Sequence, residues 1–211
     1  MKRRFDNLFP TPIGVIDIEN LEFCQRFSNE VLSLITNEDR ETLELYSTWC
    51  TNDKLHVDPK FLELTGLINK LATDFFEDVL GVSREDVMLS TMWSNVNQRD
   101  SQHQVHQHPN SYFSGVLYLN APEGSNNIMF IDPRPSKNMS HADYMKESGL
   151  SARHWEYTPT TGLLLLFPSW LEHGTTRCRL EKGLNRISLS FNYTLLRSSG
   201  KTTSFNHRGI E

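Results

Sequence analysis

Two stretches in the first part of the chain carry apolar residues at every third or fourth position. The first runs from Asn20 to Ile35, with its apolar positions at Cys24, Phe27, Val31 and Leu34. The second runs from Pro59 to Leu80, with its apolar positions at Leu64, Leu67, Ile68, Leu71, Phe75 and Val79. Asn20 suits the N-cap of the first stretch, and Gly81 suits the end of the second. The pattern predicts two amphipathic helices.

After Arg84 the helical period is lost, and short runs rich in β-branched and aromatic residues replace it. These runs are 87–97, 113–120, 128–131, 163–167 and 186–194. Helices followed by strands predict an α+β protein in which helical support over about 20–80 packs against a β core over about 87–195. The strands are expected to form a sandwich or a barrel. We expect the whole chain, 1–211, to form one domain.

The last predicted strand has one apolar and one polar face. The apolar face consists of Ile187, Leu189, Phe191 and Tyr193, and the polar face of Arg186, Ser188, Ser190, Asn192 and Thr194. The polar face either meets solvent or lines the interior of a small barrel. In the second case Arg186 and its hydroxyl neighbours suit a carboxylate ligand, and the amides of Asn95 and Asn97 can serve the same cavity.

Composition narrows the class of protein. The 211 residues are 37% hydrophobic and 22% charged, with a formal net charge of -5 and both signs dispersed. We therefore expect no tight binding to nucleic acid, which requires a basic surface. Cys24, Cys50 and Cys178 form no CxxC pair, which favours reduced thiols in the cytoplasm. The start of the chain does not resemble a secretion signal, and the run 163–167 is too short to cross a membrane, so no membrane association is expected.

Three histidines carry the strongest chemical signal. His106 and His108 are two residues apart, so on a strand they point to the same face, and His173 follows the run from Phe167 to Trp170. Three converging imidazoles predict a metal site, because buried imidazoles are costly unless each nitrogen has a partner. On the same strand His103 is expected to point to the opposite face and to be only a neighbour of the site.

The order of these motifs resembles that of the 2-oxoglutarate- and Fe(II)-dependent oxygenases. The motifs are the pair His106 and His108, the run 114–120, the run 130–134, the run 167–170 with His173, and finally 186–188. More narrowly, the chain is similar to an oxygenase family found in marine bacteria and their phages, whose members begin near a stretch like Phe9 to Pro12. The similarity extends from about Leu8 to Asn192.

This resemblance implies a double-stranded β-helix, also called a jelly-roll or cupin-like barrel, supported by the N-terminal helices. It implies a dioxygenase that uses Fe(II), 2-oxoglutarate and O2 and hydroxylates a substrate. His106 and His173 take the places of the outer iron ligands, and Arg186 that of the anchor for the distal carboxylate of 2-oxoglutarate. Tyr118 and Ser190 take positions of cosubstrate contacts, with Ser188 beside them.

The chain departs from that family at the second ligand. The usual residue is a carboxylate, and this chain has His108. Either His108 is a ligand in a site of three histidines, or a carboxylate such as Asp132 enters from elsewhere. An all-imidazole site carries one negative charge fewer, which changes iron affinity and the ease of oxidation.

Other classes remain open at this stage. A cupin-type metal enzyme is disfavoured because the expected glutamate position is Tyr112. A three-histidine zinc hydrolase leaves Arg186 without a role. A noncatalytic binding or structural module is the third alternative. The substrate, a small molecule or a peptide, is not determined, and neither is the choice between a monomer and a homodimer. The segment 136–153 is long for a connection and is interpreted as a substrate loop.

Overall fold

Three helices lie ahead of the main strands. The computed structural model describes residue 3, residues 8–134 and residues 148–196, so most of the predicted substrate loop lies outside the described residues. The helices are α1 (Leu21–Ser33), α2 (Asn37–Tyr46) and α3 (Leu62–Leu80). As predicted, the Asn20 side chain accepts a hydrogen bond from the Phe23 N–H. Gly81 ends α3 with a positive φ of 63°.

Helix α2 was not predicted, because half of its residues are charged and only Leu43 is buried. Its start is fixed by a reciprocal pair of hydrogen bonds. The Thr36 hydroxyl accepts from the Asp39 N–H, and the Asp39 carboxylate accepts from the Thr36 N–H at 2.9 Å. Local capping therefore defines an element that hydrophobic periodicity does not reveal.

The described strands form two antiparallel sheets. The strands are β1 (Gly14–Asp17), β2 (Thr48–Cys50), β3 (Val87–Asn97), β4 (Phe113–Asn120), β5 (Ile128–Ile131), β6 (His154–Tyr157), β7 (Leu163–Pro168), β8 (His173–Thr175) and β9 (Arg186–Leu195). The larger sheet has the order β1-β7-β4-β9-β3-β2, and the smaller one the order β6-β5-β8. The five predicted strands are confirmed to within one residue. The four others contain at most four residues each, too few for a clear alternation.

The larger sheet is covered on both faces. Leu164 and Leu166 of β7 pack on the helix side, whereas Leu163, Leu165 and Phe167 pack toward β5 of the smaller sheet. Burial on both faces explains why this strand is a continuous apolar run. The second of these two cores lies between the sheets and borders the cavity described below.

Strand β9 shows which of its two predicted environments is correct. Its apolar residues pack in the core under the helices. Its polar residues face the space between the sheets, where Arg186 and Ser188 are 3% and 1% exposed. The polar face therefore lines an interior and does not meet solvent.

The segment between β3 and β4 is irregular. Within it His106 forms only an isolated antiparallel bridge with His173. The prediction that His106 and His108 lie on a regular strand is therefore wrong, although both are held near β8. In the described parts of the chain, Cys24, Cys50 and Cys178 are free thiols. No helix in those parts combines the length and apolar character needed to span a bilayer.

Candidate metal centre

Three histidines that line the cavity between the sheets lie together. One ring nitrogen from each of His106, His108 and His173 lies within 4.8 Å of the others, and we call these residues the histidine cluster. Two backbone hydrogen bonds join His106 to His173, at 2.9 and 3.0 Å. The His108 N–H donates to the Ser169 carbonyl at 3.0 Å. The irregular segment is thus attached to β8 and to the turn before it, and this attachment brings the rings together.

Hydrogen bonds orient two of the rings. Nδ1 of His106 lies 2.8 Å from the Gln104 carbonyl oxygen, and Nδ1 of His173 lies 2.8 Å from the Leu171 carbonyl oxygen. A carbonyl can only accept, so both Nδ1 atoms carry protons, and both Nε2 atoms have free lone pairs when the rings are neutral. Nε2 of His108 lies 3.2 Å from Nε2 of His173. Nitrogen ligands at right angles around an ion about 2.1 Å away lie about 3 Å apart, so the spacing fits a metal ion.

Electrostatics favours neutral rings. Burial, followed by the nearby His106, lowers the pKa of His108 to about 4. Burial also lowers the pKa of His173 to about 4, with smaller contributions from its two neighbours in the cluster. At neutral pH both rings can therefore bind a cation without first losing a proton.

Aromatic side chains support the cluster. The indole of Trp93 stacks on the ring of His108, with centroids 6.0 Å apart and planes 29° apart. The ring of Phe167 meets the ring of His173 edge-on at 4.6 Å, and Phe130 lies 6.0 Å from it. These contacts limit rotation of two of the three potential ligands.

Arg186 also lines the cavity, and its guanidinium is buried. Nη1 donates to Oδ1 of Asn126 at 2.7 Å, and Nη2 donates to Oδ1 of Asn97 at 2.7 Å. Two buried N–H groups, Nε of Arg186 and Nδ2 of Asn126, have no partner among the described residues. Unpaired buried donors are costly, so this arrangement suits an anionic ligand that accepts from them.

The cavity is electropositive. Arg186 is 3% exposed, and none of the described residues that line the cavity is acidic. Burial lowers the pKa of Arg186 and raises that of the Tyr118 hydroxyl, so Tyr118 is a neutral phenol beside a cation. The guanidinium carbon lies 5.5 Å from the centre of the Tyr118 ring. A dicarboxylate that reaches from Arg186 to the histidine cluster would supply the missing negative charge.

The predicted cofactor-binding residues occupy this cavity. Asn95, Tyr118, Ser188 and Ser190 line it, and Asn95 donates to the Ser190 hydroxyl at 3.0 Å. Asn97 contacts Arg186, as described above. The structure therefore gathers the residues that the sequence placed on three different strands, β3, β4 and β9.

Two residues of the site were not assigned to it from the sequence: His103, which lines the cavity, and Asn126, which contacts Arg186. His103 was expected on the opposite face, but its ring lines the cavity, because the segment that carries it lacks the two-residue period of a strand. Asn126 lies in the connection between β4 and β5 and gives no sequence signal. Asp132, the alternative ligand, lies outside the histidine cluster, and its carboxylate accepts hydrogen bonds from Arg134 at 2.8 and 2.9 Å.

Solved structures share this fold at low sequence identity. HygX from Streptomyces hygroscopicus with iron bound superposes with a TM-score of 0.60 at 16% identity, over 88% of this chain and 83% of that one. A prolyl-4-hydroxylase from Pseudomonas putida gives a TM-score of 0.58 at 12% identity, over 87% and 93%. An oxidoreductase of the 2OG-Fe(II) oxygenase family from Burkholderia pseudomallei is 20% identical with a TM-score of 0.47, and the match spans 64% of this chain and 58% of that one. The first two likenesses confirm the predicted double-stranded β-helix.

A family match covers the strands that build the cavity. Residues 91–192 match the sequence model of a family described as "Putative 2OG-Fe(II) oxygenase". No curated protein sequence matches the chain. The matched range includes the histidine cluster and Arg186. The part of the chain that builds the cavity is thus similar to the 2-oxoglutarate- and Fe(II)-dependent oxygenases, and the chain shares the fold of a structure solved with iron bound.

Proposed function

We propose that this protein is a dioxygenase that couples the oxidative decarboxylation of 2-oxoglutarate to the hydroxylation of an organic substrate. One feature of the cavity supports this function above all. Arg186, whose buried Nε–H has no partner among the described residues, lines the same cavity as the histidine cluster, and the described lining contains no acidic residue. A metal site alone needs no buried arginine. A dicarboxylate that chelates a metal through one end needs both the metal site and a cationic partner for its other carboxylate.

His106, His108 and His173 are the proposed Fe(II) ligands. Three ligands on one side of an iron ion leave three positions for other groups, as oxygen-activating iron sites require. The backbone acceptors at Gln104 and Leu171 hold two of the imidazoles in the tautomer that directs Nε2 to the metal. Bound iron supplies the oxidising chemistry, in which 2-oxoglutarate and O2 give succinate, CO2 and one oxygen atom that enters a substrate C–H bond.

Arg186 is the proposed anchor for the distal carboxylate of 2-oxoglutarate. Its free Nε–H and the neighbouring amide of Asn126 can both donate to that carboxylate. Ser188, Ser190 and Tyr118 add hydroxyl groups along the cavity wall. The fixed ends of this pocket would hold the keto acid in one orientation between Arg186 and the histidine cluster.

The proposed substrate is a small molecule or a peptide. The cluster opens to solvent on the side of His106, whose side chain is exposed, whereas His173 is 5% exposed. Among proteins of this fold, HygX has been solved with hygromycin B bound, and the Pseudomonas putida protein is a prolyl-4-hydroxylase. The opening beside His106 is where we place the substrate of this chain.

The test is an anaerobic titration of metal-free protein with Fe(II) and then with 2-oxoglutarate. A keto acid chelated to Fe(II) gives a weak visible charge-transfer band, which we expect to appear here. The Arg186→Ala variant should need at least about tenfold more 2-oxoglutarate for half of that band, because a charge-assisted pair is lost. Arg177→Ala is the control, since Arg177 is a surface residue paired with Asp100.

Two results would count against this function. Iron that binds without any charge-transfer band would exclude chelation of the keto acid and favour a three-histidine zinc or cupin-type enzyme. Equal 2-oxoglutarate requirements for Arg186→Ala and wild type would remove Arg186 as the anchor.

A further inference from the structure

His103 is a cavity residue with no role in the function proposed above. Its ring lines the cavity but does not belong to the histidine cluster. Its backbone is held to β8, because its N–H donates to Oγ1 of Thr175 at 2.8 Å and its carbonyl accepts from the Thr175 N–H at 3.0 Å. These two hydrogen bonds fix the backbone that carries this imidazole.

A chain of hydrogen bonds assigns the proton on the His103 ring. The guanidinium of Arg186 can only donate, so the Asn97 atom that it meets at 2.7 Å is the carbonyl oxygen. The other end of that amide is therefore its NH₂ group. That nitrogen donates to Oγ1 of Thr48 at 3.0 Å and lies 3.3 Å from Nε2 of His103.

Nε2 of His103 must then accept from Asn97. In a neutral imidazole the proton is consequently on Nδ1. Burial, and then the positive charge of Arg186, lower the pKa of His103 to about 4, which keeps the ring neutral at pH 7. Among the described residues, no group bonds to Nδ1. The ring thus offers one N–H donor in a cavity that is also lined by Arg186, whose Nε–H is unpaired among the described residues.

We infer that His103 binds the cosubstrate: its Nδ1–H donates to the carboxylate that Arg186 holds, and Asn97 fixes the tautomer that makes this possible. This inference rests on the proposed function of the cavity. One amide contacts both Arg186 and His103, so the two side chains lie on the same side of the pocket, at the distal end of the dicarboxylate. His103 therefore contributes to the selection of a dicarboxylic keto acid over a monocarboxylic one.

The first experiment reads the tautomer directly. Long-range ¹H–¹⁵N spectra of the histidine rings, assigned with a His103→Asn variant, should show a neutral ring protonated at Nδ1 in the metal-free protein at pH 7. A ring protonated at Nε2 would overturn the inference, because Asn97 would then not be the donor. This measurement uses the wild-type fold and does not depend on catalysis.

The second experiment measures binding without turnover. Ni(II)-loaded protein is titrated calorimetrically with 2-oxoglutarate and with 2-oxobutyrate, which keeps the chelating keto acid but lacks the distal carboxylate. The His103→Ala variant should bind 2-oxoglutarate at least about tenfold more weakly and 2-oxobutyrate unchanged, because only the former has an acceptor for Nδ1–H. His103→Asn, whose NH₂ group can occupy the place of Nδ1, should lose less affinity for 2-oxoglutarate than His103→Ala.

The outcomes separate this inference from the proposed function. If the wild-type protein binds neither keto acid, the function itself fails. If wild type binds 2-oxoglutarate and His103→Ala binds it equally well, only the role of His103 fails. An equal loss for both keto acids would make His103 a structural residue and overturn the inference. The control is His154→Gln, an exposed histidine on β6.

Discussion

Nε2 of His108 lies 3.2 Å from Nε2 of His173, and the two rings are parallel to within 6°. Nε2 of His173 carries a lone pair, because Nδ1 donates to the Leu171 carbonyl. Without a metal ion, the His108 ring can donate a proton into this contact. With a metal ion, both nitrogens can bind it. The same spacing therefore suits a hydrogen bond in the metal-free protein and coordination in the metal-bound protein.

Substitutions at the unusual ligand position give the first prediction. His108→Ala should weaken Fe(II) binding by about 100-fold, because the proposed ligand is lost, whereas His108→Asp should stay within about tenfold of wild type. Metal affinity can be measured by anaerobic calorimetry. Asp132→Asn is the companion variant and should bind iron like wild type, since Asp132 pairs with Arg134. Weak binding by Asp132→Asn, with normal binding by His108→Ala, would reverse the assignment.

The stack of Trp93 on His108 gives the second prediction. Trp93→Ala should lower Fe(II) affinity by about 2–10-fold, because the imidazole gains rotational freedom that binding must remove. Trp93→Phe should retain most of the affinity. The control is Trp155→Ala, because Trp155 on β6 is 46% exposed. Affinities that are equal for Trp93→Ala and Trp155→Ala would show that the stack does not position the ligand.

The buried histidines give a pH prediction for the metal-free protein. The pKa of His173 is lowered from its ordinary 6.5 to about 4. Between these values the unfolded chain binds a proton that the folded chain does not, so folding stability falls as the pH drops from about 6.5 toward 4. The loss from this group is on the order of 3 kcal/mol and is absent above pH 6.5.

Urea unfolding of metal-free protein across this pH range measures the effect. His173→Gln should show a smaller loss of unfolding free energy than wild type between pH 6.5 and 4. His154→Gln should follow wild type, because His154 is exposed. Parallel curves for wild type and His173→Gln would contradict the assignment of a depressed pKa to His173.

Two glycines make a matched pair for stability. A Cβ at Gly115 would overlap the ring of Phe191 and would lie 2.9 Å from the Leu165 carbonyl oxygen, so Gly115→Ala should destabilise the protein by about 1–3 kcal/mol. A Cβ at Gly66 in α3 would meet nothing within 4 Å. Gly66→Ala should therefore stabilise by about 0.4–1 kcal/mol. Thermal unfolding compares the two, and a stable Gly115→Ala variant would show that Phe191 can repack freely.

Local sequence patterns predicted the helices and strands whose apolar and polar residues alternate with a regular period. The bounds of β3, β4 and β5 match the prediction, because alternation along a strand follows from backbone geometry alone. The same reasoning failed for His103, where the chain is irregular. Asn126 was missed for a related reason, since a single amide in a connecting segment has no pattern to reveal it.

The sequence by itself determined the helices α1 and α3 and the main strands. It also determined the three histidines of the cluster as candidate metal ligands, and an arginine on a polar strand face. Only the tertiary structure decided that this face looks inward and that His103 joins Arg186 through Asn97. The physical reason is that an irregular segment takes its conformation from hydrogen bonds to distant residues. His106 and His103 are placed by His173 and Thr175, which lie far along the chain and become neighbours only in the folded sheets.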